Sequence, residues 1–155
     1  MIGLKPGFTY TPAQVLPHSG DMRLIDEIVD YEAEAVRCRV RVRADSAFCE
    51  KDGVPAWVGL EYMAQTMGVY SGIELAQRGE KPRIGFLIGT RRYEAAVPVF
   101  AVGTTLEITA RVVLWDEDHL FVFDCAIFSE GRKLAWGEIK AFRPHDVDAY
   151  LKENT

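Results

Sequence analysis

The sequence predicts an α+β domain in which one long central helix is wrapped by a curved antiparallel β-sheet. Three observations predict it. Residues 56–77 are the only candidate for a long helix, and apolar residues cover most of its circumference, which implies burial on nearly all sides. The C-terminal half is a succession of apolar strand-like segments joined by short polar turns, the pattern of a meander. Along the helix Ala64, Gly68 and Gly72 recur every four residues, so one face carries almost no side chain. A glycine costs about 1 kcal/mol against alanine in an exposed helix, and close approach of a sheet backbone accounts for accepting it.

The elements follow in order. Thr11 caps a short first helix with Pro12 at its first position, and Pro17 ends it. Met22 to Tyr31 reads as a strand. Ala35 to Arg43 alternates and pairs with it through a Glu32-Ala33-Glu34 turn. Pro55 opens the long helix, Ala56 to Gln77, and Gly79 stops it. Four strands come next: Arg83 to Tyr93, Thr104 to Trp115, His119 to Phe128 after an Asp116-Glu117-Asp118 turn, and Lys133 to Phe142 after a glycine-containing hairpin turn. Pro98 and Gly103 bracket the joint between the first two. A short helix, Asp146 to Lys152, closes the chain. Two strands, a buried helix and four antiparallel strands describe the hotdog fold, here a single domain over residues 1–155.

Composition bounds the rest. The chain has 155 residues, 48% hydrophobic and 26% charged, a globular balance with room for one core. A net charge of -5 and a pI near 5.2 argue against nucleic acid as a partner. The one dense basic run places Arg37, Arg39, Arg41 and Arg43 on one strand face. A solvated sheet face is the preferred reading; an anion patch that steers an acidic carrier protein is the alternative. Three scattered cysteines, Cys38, Cys49 and Cys125, suggest a reducing compartment and neither a disulfide framework nor a zinc site. Met1 to Gly7 lacks a signal-peptide layout and no apolar run is long enough to span a membrane, so a cytoplasmic protein without a membrane partner is expected.

Glu61 stands out as the one carboxylate inside the apolar helix before Glu74. Burial would raise its pKa and suit it to acid–base work. The alternative is a solvent gap or an ion pair with Arg91 or Arg92. Gln65, one turn on, is placed to hold that carboxylate or to touch substrate. Free N–H groups around Ala56 and Trp57 at the helix start are candidates to polarise a carbonyl, and the Trp57 ring to line an acyl tunnel. His18 lies in a Pro-Ser-Gly-rich loop where functional side chains concentrate, whereas His119 and His145 read as surface residues. Cys49 shows no sequence feature that would lower a thiol pKa.

Several of these segments resemble one family. Leu16-Pro17-His18 followed by Leu24-Ile25-Asp26 resembles the opening loop and strand of hotdog 3-hydroxyacyl-(acyl carrier protein) dehydratases. Gly53-Val54-Pro55 leading to Leu60-Glu61-Tyr62-Met63-Ala64-Gln65 resembles their proline-entered helix. Phe86-Leu87-Ile88-Gly89 and the Pro98-to-Gly103 joint are similar to the strand and step that follow. The likeness runs from about Leu16 to Pro144 and is nearest to the divergent branch of aryl-polyene clusters.

The resemblance implies an acyl-thioester substrate, on acyl carrier protein or coenzyme A, and conversion of a 3-hydroxyacyl to a trans-2-enoyl group. It implies no cofactor or metal, with Gly89 and the helix start near the substrate. In the family a histidine ahead of the helix takes the C2 proton, and the helix glutamate, matched here by Glu61, helps the hydroxyl leave. The histidine has no counterpart: this chain reads Phe48-Cys49-Glu50-Lys51-Asp52-Gly53 there. Three readings follow. Either His18 replaces the base, or Glu61 alone activates water as in hotdog thioesterases, or the chain is a non-catalytic partner subunit. The family also implies a homodimer, or a heterodimer with a related hotdog protein.

Overall fold

Six strands pair in one antiparallel sheet, and buried residues alternate with outward ones along 36–41 and 105–110. The computed structural model describes residues 10–83, 85–116, 120–144 and 147–153. The strands are β1 (Glu27–Glu32), β2 (Ala35–Arg41), β4 (Phe86–Ala95), β6 (Thr105–Trp115), β7 (Leu120–Ser129) and β8 (Arg132–Phe142), arranged β1-β2-β6-β7-β8-β4. Two short strands, β3 (Gly53–Pro55) and β5 (Val99–Ala101), form a separate ladder at the mouth of the helix. The helices are α1 (Pro12–Val15), α2 (Gly59–Gln77), entered through a 3₁₀ turn at Ala56–Val58, and α3 (Val147–Glu153).

The inner sheet face carries Cys38 and Val40 from β2, Leu106 and Ile108 from β6, Phe123 and Ile127 from β7 and Ile139 from β8, all buried. They close over Tyr62, Met63, Val69, Tyr70 and Ile73 of α2 in one apolar cluster. The expected hotdog arrangement, one central helix against a curved antiparallel sheet, is thus present. On the outer face the arginine run is matched by acids from neighbouring strands and, at Arg43, from the loop that follows. Arg37 pairs with Asp30 and Glu107, Arg39 with Glu27 and Glu107, Arg41 with Glu27 and Arg43 with Asp45. These charges are met where they stand, as a solvated face requires, and each exposed pair contributes only about 0–1 kcal/mol.

Several expectations need correction. Residues 22–26 do not extend the first strand. Gly20–Met22 is a 3₁₀ turn, and the Met22 carbonyl and Leu24 N–H bond to the Gln65 side chain instead of a neighbouring strand. The third long strand, β4, begins at Phe86 and runs to Ala95, with bulges between Leu87 and Gly89 and between Arg91 and Glu94. The helix is also not buried all round: Leu60, Glu61, Ala64, Gly68 and Ser71 form a half-exposed stripe along one side. The Met1–Gly7, His119 and His145 readings lie outside the described residues, as do Glu117 and Asp118 of the Asp116-Glu117-Asp118 turn and Asp146.

The bare helix face meets a different neighbour from the one expected. A Cβ at Gly72 would collide with the Val15 carbonyl oxygen and come within 2.8 Å of the Val15 Cβ, so α1, not the sheet, lies there. Gly68 faces only the Leu16 Cδ2, at 3.0 Å from a would-be Cβ. Gly72→Ala should therefore cost about 1–3 kcal/mol by overpacking against backbone. Gly68→Ala should be close to neutral, since helix propensity offsets a small shift of a leucine methyl. Thermal denaturation of the two variants checks this; equal losses would contradict the packing described.

Candidate active site

The site begins with α1 and the loop behind it. Pro17 ends α1, and the chain turns through His18 and Ser19 into the Gly20–Met22 turn, where Gly20 takes a φ of +56°. Gln65 anchors this loop to α2. Its Oε1 accepts the Leu24 N–H at 2.8 Å, and its Nε2 donates to the Met22 carbonyl at 2.7 Å and to Glu61 Oε1 at 3.0 Å. The residue is 1% exposed and both amide hydrogens are engaged. Of the two roles expected for Gln65, it performs the first, holding Glu61; it has no donor left for substrate.

The loop so anchored brings His18 to Glu61. His18 Nε2 stands 4.0 Å from Glu61 Oε1, their side chains 31% and 45% exposed. His18 Nδ1 is buried without a hydrogen-bond partner among the described residues, while the His18 carbonyl accepts from Arg23 Nη1 at 3.5 Å. The degree of burial assumed for Glu61 is not met in this chain. Its partners are Gln65 and His18. Arg92 lies instead in a groove of the outer sheet face, with Asp124 and Glu138.

Both side chains border a cavity of about 150 Å³ between α2 and the inner ends of β7 and β8. Ala64, Gly68 and Ser71 line its helix side, and Phe121, Phe123 and Trp115 its sheet side. Trp57 is not part of this wall. It is 63% exposed and meets exposed Phe48 edge-on, ring centres 5.9 Å apart. Gly89 is likewise outside it, at the bulge opposite Lys140, where an added Cβ would meet nothing within 4 Å. A glycine inside a strand often marks a bulge, and that signal was available in the sequence.

At the helix start the Ala56 N–H donates to the Pro98 carbonyl at 3.0 Å, so it is not available to a substrate carbonyl. The Ala56 carbonyl accepts from the Tyr93 hydroxyl at 2.5 Å; a side chain at Gly59 would overlap that hydroxyl. Burial pushes the Tyr93 phenol up to about 12, and burial with help from Asp26 and Cys49 does the same for Tyr62. Both remain neutral hydroxyls near pH 7. Cys49 donates to the Glu50 carbonyl at 3.3 Å and borders none of this cavity. Among the described residues no group of three or more His, Cys, Asp or Glu is placed to hold a metal ion.

The comparisons settle the relationship. The ApeP-like family, described as ApeP dehydratase, matches residues 10–152. The chain belongs to the ApeP-like dehydratase family. A chain of the dehydratase heterocomplex ApeI:P from Xenorhabdus doucetiae is 30% identical, with a TM-score of 0.88 over 96% of this chain and 100% of that one. A hypothetical thioesterase with coenzyme A from Streptococcus pneumoniae is 15% identical, with a TM-score of 0.58 over 76% of this chain and 84% of that one. The PaaI protein of the phenylacetic acid degradation operon of Escherichia coli is 15% identical, with a TM-score of 0.58 over 75% and 81%. At that identity the last two show the hotdog fold alone. A search of curated protein sequences returns no match. No described helix is long and apolar enough to cross a membrane.

Sequence reasoning missed Ser71, Arg83, Trp115 and Arg143 as cavity residues. Arg143, just past the end of β8 and before Pro144, is 2% exposed. Gln65→Leu should remove three hydrogen bonds at once. An unsatisfied buried donor or acceptor costs about 1–3 kcal/mol, and the melting temperature should fall by about 2–4 °C per kcal/mol. Calorimetry checks the loss; an unchanged melting temperature would show that Gln65 does not anchor the loop.

Proposed function

We propose that this chain removes water from 3-hydroxyacyl thioesters, with His18 and Glu61 as its acid–base pair. The observation that carries the reading is the 4.0 Å approach of His18 Nε2 to Glu61 Oε1 at the edge of an apolar cavity, in a chain of a dehydratase family. Neutral His18 takes a proton from C2. Glu61 in its acid form gives its proton to the departing 3-hydroxyl, so water leaves and the C2–C3 double bond forms. The imidazolium and carboxylate that result exchange protons through solvent, which reaches both side chains. Gln65 fixes the carboxylate, and the loop it anchors fixes the histidine. Each proton transfer by a placed group is worth about 100- to 10,000-fold.

The chain works with a second, related hotdog subunit. The half-exposed stripe of Glu61, Ala64 and Gly68, with exposed Trp57 one turn before it and Phe48 beside it, leaves the active face open on one side. A partner laid there would exclude water from the cavity mouth. The relative from Xenorhabdus doucetiae is itself part of a heterocomplex. The thioester is carried by acyl carrier protein or coenzyme A, in fatty-acid or aryl-polyene synthesis, and the reaction takes place in the cytoplasm without a cofactor.

Mass spectrometry of 3-hydroxyacyl thioesters incubated with the purified chain, alone and with a related hotdog subunit, tests the proposal. Accumulation of the 2-enoyl thioester is the expected product. Release of free acid would move the assignment to thioester hydrolysis, with Glu61 activating water.

A further inference from the structure

A bulge, a left-handed residue and two glycines all make room for one tyrosine. In β4 the residues Arg92 and Tyr93 stand together opposite Gly137, between the paired positions Arg91–Glu138 and Glu94–Trp136. Two residues against one form a bulge, a device that re-aims a side chain. Arg92 has a φ of +60°, a conformation that a residue with a Cβ adopts only at a cost. Arg92 and Glu94 line the outer groove, whereas Tyr93 turns inward and packs against the core. Gly137 is bare where Tyr93 crosses it, since a Cβ there would stand 3.1 Å from the Tyr93 Cα. Gly59 is bare at the other end of the ring, where a Cβ would overlap the hydroxyl.

That hydroxyl donates to the Ala56 carbonyl at 2.5 Å, while the Ala56 N–H donates to the Pro98 carbonyl at 3.0 Å. The segment from Tyr93 to Pro98 thus grips both polar groups of one residue at the entry to α2. A helix start is commonly fixed by a side-chain cap, but neither Pro55 before the 3₁₀ turn nor Val58 before α2 makes one. A phenol from β4 holds the entry instead. Burial pushes it up to about 12, so it remains a donor throughout the neutral range. Glu61 stands in the first turn of α2, just past Gly59. Gln65 holds the carboxylate from within the same helix, so the place of that carboxylate follows the place of the first turn.

We infer that Tyr93 is a positioning residue: its hydroxyl sets the entry turn of α2 and thereby the place of the Glu61 carboxylate at the cavity edge. The inference rests on the dehydratase reading for its effect on rate, though not for the contact itself. Tyr93 does not line the cavity, so it acts through Glu61 and not on substrate. A shift of about 1 Å at a reacting group can cost about 100-fold in rate, which makes one lost anchor consequential.

Tyr93→Phe, Gly59→Ala and the two together test the role, in the full chain assembled with a related hotdog subunit. Enoyl formation gives kcat and KM. Carbon NMR of the side-chain carboxyls follows Glu61, with Glu74 near the other end of α2 as the internal reference. Tyr93→Phe is expected to lower kcat about 10- to 100-fold, leave KM within about twofold, and shift the Glu61 signal but not that of Glu74. Gly59→Ala should act alike by pushing the hydroxyl away. In the double variant the alanine methyl takes the room that the hydroxyl leaves, so the two losses should not multiply. Should the wild type form no enoyl product, the dehydratase reading alone would fail, and the carboxyl signals would still decide the anchor. A folded Tyr93→Phe variant with unchanged kcat, a Glu61 signal that stays in place or moves together with Glu74, or losses that multiply would overturn the positioning role.

Discussion

Glu61→Gln should lower the rate of enoyl formation by about 100- to 10,000-fold while leaving the fold intact. The fold should survive because the Glu61 side chain is 45% exposed and packs into no closed core. Glutamine also keeps an oxygen at the position that accepts the Gln65 Nε2–H at 3.0 Å. What it loses is the proton that the departing hydroxyl needs. Rates measured beside circular dichroism separate the two effects. A variant that melts with the wild type and turns over at a hundredth of its rate or less agrees with the assignment. Undiminished turnover would remove Glu61 from the chemistry and leave it a loop anchor.

His18→Ala is expected to bring a loss of the same order, for a different reason. The general base would be gone while the acid stays in place, since Gln65 and not His18 orients Glu61. Added imidazole should restore part of the rate through the space the ring leaves, a response that a merely structural histidine would not show. Because the two groups act in one step, the double variant should lose little more than the worse single variant. Full multiplication of the two losses would mean that they act in separate steps.

Much of this arrangement was legible in the sequence. The apolar cover of residues 56–77 and the period-two segments after it are local signals, and the helix and strands stand close to where they predict. Glu61 stood out for a similarly local reason, as a charge where its neighbours have none. The reach of His18 to Glu61 could not be read in the same way. It depends on Gln65 bonding across 41 and 43 residues to Leu24 and Met22, a contact with no sequence period. Trp57 misled because an aromatic at a buried helix's start does not reveal which side faces out. The Gly72 face was rightly read as a close approach, but a missing side chain does not name the neighbour, which is the Val15 backbone. Arg143 was hidden by its position, since an arginine before proline at a strand end has the composition of a turn.

The role of this chain's own residues is the central claim, and one measurement reaches it directly. The chain carrying both His18→Ala and Glu61→Gln would be assembled with an unaltered related hotdog subunit, and enoyl formation followed by mass spectrometry. The proposed chemistry predicts that the assembled pair forms but dehydration falls by at least about 100-fold. Dehydration at the unaltered rate would contradict it and make this chain an accessory subunit whose partner holds the working acid and base.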